Sequence, residues 1–168
     1  MECAIPWQSF EPSKCQLGQK QQNKRYPTAE YISVSYKDSM VEMPSFQIVS
    51  PWLTKPNSCT SSEIIEIGWC VSEHPFFQKL KMLHDHMKNS LLNNHKIKLN
   101  SNPYLLSIYL DKTKTVVRDL TKNEEILLTD DILMNPLQQY KMCIRLAGIH
   151  VQHGSANYRF KCVGILTR

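Results

Sequence analysis

Apolar positions begin to alternate with polar ones at EYISVSY (30–36), which predicts a first strand, and again at SFQIVSPW (45–52), an extended piece that Pro51 stops. Upstream, residues 11–29 are rich in Gln and Lys and poor in large apolar side chains. Such a stretch cannot bury enough surface to offset the entropy of ordering it, so residues 1–29 are expected to be a flexible N-terminal segment and 30–168 one domain. TKPNSCTSS (54–62) reads as a loop turning at Pro56 and Asn57. SEIIEIGWCV (62–71) resumes the two-residue period, with Ile65, Ile67 and Trp69 on one face.

The period then changes. Phe76, Leu80, Leu83, Met87 and Leu91 recur at i, i+4, i+7, i+11 and i+15, an amphipathic stripe. Ser72 suits the N-cap, Glu73 the positive end of the helix dipole and Pro75 the first turn, which predicts one principal helix at about 73–93. His84 and His86 stand two apart on it, on different faces, a spacing that suits neither a metal nor a proton relay. NPYLLSIYLDKTKTVVRDL (102–120) reads as a β-hairpin turning near Asp111 to Thr113. NEEILLTDDILMNPLQQ (123–139) reads as a short strand and a helical turn capped by Thr129.

The closing stretch carries a register signal. Met142, Ile144 and Leu146 are even-numbered, whereas Ile149 and Val151 are odd, so the alternation slips by one at Ala147–Gly148. A period of two slips only where an extra residue enters, which predicts a β-bulge that Gly148 permits. QHGSAN (152–157) is the connection, with Gly154 and Asn157 able to take positive φ, and YRFKCVGIL (158–166) is the last strand. If Tyr158 and Phe160 enter the core, Arg159 and Lys161 share a face with Lys141 and Arg145; in the reversed register the two aromatics become exposed platforms.

Charge makes this hairpin unusual. Twenty Lys and Arg against 15 Asp and Glu leave a net charge of +5. Residues 141–168 hold Lys141, Arg145, Arg159, Lys161 and Arg168 with no acid, so the preceding 140 residues are neutral. Like charges facing one another across strands repel unless something neutralises them, and phosphates would. Outward cations also serve solubility and blunt sheet edges, the plainer reading of the same residues.

Other chemistry finds less support. No P-loop, dinucleotide glycine pattern or nucleophile elbow occurs, and no apolar run is long enough to span a bilayer. The N-terminus reads as no signal peptide, and the six dispersed cysteines read as reduced thiols of an intracellular protein. Cys143, His150, His153 and Cys162 bracket the last hairpin without zinc-like spacing, so no metal or cofactor is expected. Trp52, between Pro51 and Lys55, is either a buried anchor or a stacking surface.

Several pieces, taken in order, resemble a known family. They are Ser50-Pro51-Trp52, a strand, a helix that opens on Phe76-Phe77 and ends on Asn89-Ser90, a hairpin, and a terminal unit of Leu146, Gly148, Ile149, Tyr158, Phe160 and Lys161. This order is similar to the single-stranded DNA-binding proteins of large eukaryotic DNA viruses, over roughly residues 30–166. The resemblance implies an OB-like β-barrel elaborated by a helix, and a role in viral genome replication, repair or recombination at a nuclear or cytoplasmic site.

The expectation is an α+β domain, mostly antiparallel sheet closing into an OB-like barrel, that binds single-stranded DNA (RNA being the alternative) without catalysis and with self-association. Lys141, Arg145, Arg159 and Lys161 would neutralise phosphates, Lys112, Lys114 and Arg118 would extend the track, and Trp52, Tyr109 and Tyr158 would stack on bases. The rival is a viral protein-binding module that tethers or inhibits a partner. A nuclease using Asp111, Asp119 and Glu124 is a more distant third.

Overall fold

The structure, a computed structural model, describes residues 2–56, 58–60, 64–70, 74–101 and 105–168. In chain order the elements are β1 (Cys3–Pro6), β2 (Cys15–Gln22), β3 (Glu30–Asp38), β4 (Val41–Met43), β5 (Phe46–Val49), β6 (Ser58–Thr60) and β7 (Ile64–Cys70). There follow α1 (Pro75–Ser90), β8 (Lys98–Leu99), β9 (Leu105–Asp111), β10 (Val116–Asp119), β11 (Glu124–Ile126), α2 (Asp130–Met134), β12 (Tyr140–Gln152) and β13 (Ser155–Thr167). Asn57, Ser72 and Glu73 lie outside the described residues, as do the side chains of Ile65, Ile67 and Trp69.

The closing alternation folds as the spine of the sheet. β12 and β13 pair antiparallel along their length and join through His153 and Gly154, at φ 51° and 76°, a two-residue turn of the type that matches strand twist. The connection is therefore shorter than expected, and Asn157 sits inside β13 opposite His150. The anticipated bulge is present: Leu146 pairs with Phe160 and Ile149 with Tyr158, and between them Gly148 takes φ 110°. A second slip, unforeseen, leaves Val163 as an extra residue on β13, because Cys143 pairs with Gly164 and Ile144 with Cys162.

Other strands attach along this spine. β12 carries β5 beside Cys143–Arg145 and β3 beside Ile149–Val151, while β13 carries β8, β9 and β10 in succession, all parallel to it. From β1 through β5, β12, β13, β9 and β7 to β6 the ladder is continuous, and β1 and β6 do not pair with each other among the described residues. The sheet is thus open, not the closed barrel expected. It is also mixed, with eight antiparallel and four parallel pairings among the described strands. Bulges bend strands, and here the bent spine exchanges one neighbour for another instead of closing.

Residues 102–120 depart from the expected hairpin: β9 and β10 do not pair with each other but lie one after the other along β13. The turn between them is as predicted, since Asp111 Oδ1 accepts from the Thr113 N–H at 2.9 Å and its hydroxyl at 2.6 Å. The polar N-terminal segment also joins the sheet rather than forming a loose lead-in. β2 needs little apolar surface because its ladder to β3 supplies main-chain hydrogen bonds, and Ile5, Phe10 and Cys15 reach the core. Lys79 Nζ on α1 donates to the carbonyls of Trp7, Gln8 and Phe10 at 2.6–3.0 Å and ties the turn down. Within the expected loop 54–62, β6 pairs with β7.

The helix stripe behaves as read. Phe76, Leu80, Leu83 and Met87 are buried, and a π-helical turn (Leu91–His95) carries Leu91 inward before Lys96 stops it at φ 57°. The cap is His74, whose Nδ1 accepts from the Phe76 N–H at 3.1 Å. These side chains join Ile32, Ile144, Ile149 and Phe160 in one core cluster on the inner face of the sheet. Thr129 precedes α2 as expected. No described helix is long and apolar enough to cross a membrane.

Candidate nucleic-acid interface

With Tyr140, Met142, Ile144 and Leu146 buried on β12, and Phe160 and Cys162 on β13, the intervening side chains face outward. Lys141, Arg145, Arg159 and Lys161 therefore share the outer face of the spine, the first of the two registers weighed above. Arg145 and Lys161 are direct cross-strand partners. The row continues to Gln47 on β5 and Tyr109 on β9.

Each cation is held differently. Arg145 Nη1 donates to Glu2 Oε1 at 2.6 Å, which offsets the like-charge pair that Arg145 and Lys161 would otherwise form. Glu2 also accepts from Gln47 Nε2 and from the Ser45 hydroxyl, and the three donors, Gln47 first, hold its carboxyl down at about 2. The Arg159 guanidinium stands 4.9 Å from the centre of the Tyr109 ring. Lys141 Nζ lies 5.3 Å, and the Arg168 guanidinium 4.1 Å, from the Trp52 ring centre. Lys141, Arg159 and Lys161 make no ion pair among the described residues. Cation–π contacts of this kind contribute only about 0.5–1 kcal/mol at exposed sites, so they orient these side chains without neutralising them.

Three clefts open along this face. At the turn end, one of about 370 Å³ lies between the β2–β3 turn and His150, Asn157 and Arg159. Next to it, a cleft of about 190 Å³ is walled by Tyr109, Asp111, His150, Arg159 and Lys161, so His150 and Arg159 border both. At the far end, about 350 Å³ is enclosed by Val116, Arg118, Lys141 and Leu166, with Glu125 in the wall. Thirteen residues of strand at about 3.3 Å each make this track roughly 40 Å long.

Other expected site residues sit elsewhere or are already engaged. Lys112 pairs with Asp130 at 3.5 Å and Lys114 with Asp111 at 3.4 Å, so neither extends a free cationic track. Arg118 does reach the third cleft, with its guanidinium donating to Asn123 Oδ1. Tyr158 is turned inward: its hydroxyl lies 3.0 Å from His84 Nδ1 and its ring packs edge-on against Phe160. Burial drives its phenol far above the ordinary value, and it is no stacking platform. Trp52 is half-buried, with the Lys141 and Arg168 side chains against its ring.

The loosely spaced Cys/His set does not assemble. Cys143 points outward to Gln47, Cys162 is buried with its thiol on the Gly164 carbonyl, and no described group of three metal-ligating side chains exists. Asp111 and Asp119 each cap their own turns, on Thr113 and Thr121.

Sequence reasoning missed three residues. Tyr31 donates from its hydroxyl to the Ala147 carbonyl at 2.6 Å and lies over Gly148. His150 meets Tyr31 edge-on at 5.8 Å; burial first, and then the charge of Arg159, keep its pKa below the usual value and the ring neutral at pH 7. Tyr26 overhangs the first cleft. The post-bulge alternation, which turns His150 outward, was the available signal for that residue. Tyr31 and Tyr26 had none without knowledge of which strand lies beside β12.

No protein-family model matches the sequence, and no curated protein matches it. Among solved structures, the single-stranded DNA-binding protein from bacteriophage Enc34 is similar at 10% identity, covering 90% of both chains with a TM-score of 0.43. Its C-terminal truncation aligns at 10% identity over 89% of this chain and 95% of that one, TM-score 0.42. The same protein in complex with ssDNA aligns at 9% identity over 89% and 95%, TM-score 0.42. Superposition at this level defines no family for the chain and assigns it no ligand.

Proposed function

We propose that this protein binds single-stranded DNA, with little sequence preference and without catalysis, along the outer face of β12 and β13. One observation carries the reading: Lys141, Arg159 and Lys161 line a single clefted face beside the aromatic ring of Tyr109 and make no ion pair among the described residues, Asp111 in the wall of the same cleft being paired with Lys114. A cationic groove that tracks the backbone, with aromatic surfaces for bases, is what sequence-tolerant recognition of a single strand requires. Three separate clefts along roughly 40 Å suit a flexible strand that can bend its bases into them better than a stiff duplex. The sequence resemblance adds the expectation that this binding serves replication, repair or recombination of a viral genome, with self-association along the strand.

The test is a fluorescence-anisotropy titration of labelled oligo-dT, oligo-rU and duplex DNA of equal length at two or more salt concentrations. Three unpaired cations predict a log-log salt slope of about −2, from about −0.7 per phosphate neutralised on a single strand. Arg159→Ala with Lys161→Ala should flatten the slope by about 1.4. A flat salt response, or preference for duplex, would refute the proposal and move weight to the protein-partner reading.

A further inference from the structure

We propose that the recess beneath the β2–β3 turn is a distinct subsite for one nucleobase of the bound strand, with Tyr26 as its stacking wall. The inference rests on the strand-binding reading above and adds to it a contact to a base, whatever its identity, at one end of the track.

The turn is built to hold one shape. Asn23 Oδ1 accepts from the N–H groups of Arg25 at 2.9 Å and Tyr26 at 3.2 Å. The Asn23 N–H donates to the Ala29 carbonyl at 2.9 Å, the Ala29 N–H to the Tyr26 carbonyl at 3.0 Å, and Gln22 Nε2 to the Pro27 carbonyl at 3.0 Å. What this rigid turn displays is an aromatic ring: Tyr26 is 58% exposed and belongs to no core cluster. A large aromatic carried on a rigid turn offers contact area at low cost, since only its two side-chain torsions remain to be ordered when something stacks on it. The Arg25 guanidinium stands 5.9 Å from its ring centre, and residues 23–29 carry two cations and no acid.

The recess faces this ring with the polar groups a base edge needs. Asn157 brings an amide, both donor and acceptor, and neutral His150 brings a ring nitrogen of each kind. Arg159 forms the partition with the neighbouring cleft, where it can hold the phosphate joining a base in one recess to a base in the next. An isolated phosphate could accept from the Asn157 amide N–H but would leave the Tyr26 ring and the amide carbonyl unused. A nucleobase uses both.

A thermodynamic cycle tests the subsite. Oligo-dT is trimmed to the shortest length that keeps full affinity, which fixes its register, and a single abasic residue is then placed at each position in turn, removing one base and no phosphate. At one terminal position the abasic residue should weaken binding to the wild-type protein by about 5- to 150-fold, the contribution of one stacked base. The same change should cost Tyr26→Ala less than twofold, with an unaltered salt slope. If wild type and Tyr26→Ala respond alike at every position while the strand still binds with a steep salt dependence, the subsite is overturned and the phosphate track stands. If oligo-dT is not held at all, the strand-binding reading falls and the subsite with it.

Discussion

Gly148→Ala should be among the most damaging single-methyl substitutions in the chain. The residue sits at φ 110°, where an L side chain is strained, and an added Cβ would run into the Tyr31 ring lying across the bulge. The backbone strain costs about 1–3 kcal/mol. Moving the ring away breaks its hydrogen bond to the Ala147 carbonyl, a further loss of about 0.5–1.5 kcal/mol. Together these amount to about 2–4 kcal/mol, a large share of an ordinary domain's stability. Urea unfolding followed by tryptophan fluorescence is the assay: with an m-value of about 2 kcal/mol/M, the midpoint should fall by roughly 1–2 M while m stays constant. The substitution is then repeated in a Tyr31→Ala background, where the collision no longer exists, and should cost only the backbone share, a non-additivity expected of groups in contact. A loss below about 0.5 kcal/mol would refute the strained-bulge argument, and equal losses in both backgrounds would refute the role given to the ring.

Four further outcomes follow from named contacts. Glu2→Gln frees Arg145 for a phosphate, so oligo-dT should bind more tightly with a slope steeper by about 0.7, and an unchanged slope would contradict the pairing. The Glu2 carboxyl is depressed from 4.5 to about 2, so the stability it contributes is present above about pH 4.5 and lost as pH falls through 2; with the side chain one-third exposed, acid titration should show under about 1 kcal/mol of difference between wild type and Glu2→Gln. Tyr158→Phe removes the hydroxyl from His84 and should cost about 1 kcal/mol in denaturant while leaving DNA affinity intact; lost affinity would return Tyr158 to the interface. Lys79→Met leaves the carbonyls of Trp7, Gln8 and Phe10 without their donor and should destabilise by about 1–3 kcal/mol, with faster amide exchange on the N-terminal strand; an unchanged midpoint would refute the anchoring role.

What was legible in the sequence was local. The even-to-odd slip between Leu146 and Ile149 located the bulge because side-chain alternation is a property of one strand, and the Phe76–Leu91 stripe located the helix because its spacing is likewise local. The outward grouping of Lys141, Arg145, Arg159 and Lys161 followed from alternation in two adjacent strands once one register was chosen. Contacts between distant segments were not legible. Glu2 meets Arg145 across 143 positions, and nothing near either residue announces the pairing. Tyr158, expected to stack on bases, turns inward instead because its environment is supplied by His84 on the helix. The expected hairpin at 102–120 failed because a turn motif at Asp111 marks a break between strands but fixes neither the direction nor the partner of the strand that follows, and β10 continues beside β13 in the same direction as β9. The N-terminal segment was underestimated because composition measures apolar burial and ignores main-chain ladders such as the one β2 makes with β3.

The spine has a consequence for how the chain is made. Every other described strand reaches the rest of the sheet only through β12 or β13: β1 with β5, β2 with β3 and β4, β6 with β7 and β9, β10 with β11, and β8 by itself. During synthesis from the N-terminus, residues 1–139 emerge first, carrying the strands of two- and three-stranded ribbons and the lone β8, which share no neighbour and are marginal alone. The sheet assembles in one event once residues 140–168 arrive, so a nascent chain stalled before that point exposes several unpaired edges at once, the condition under which chains aggregate or engage chaperones.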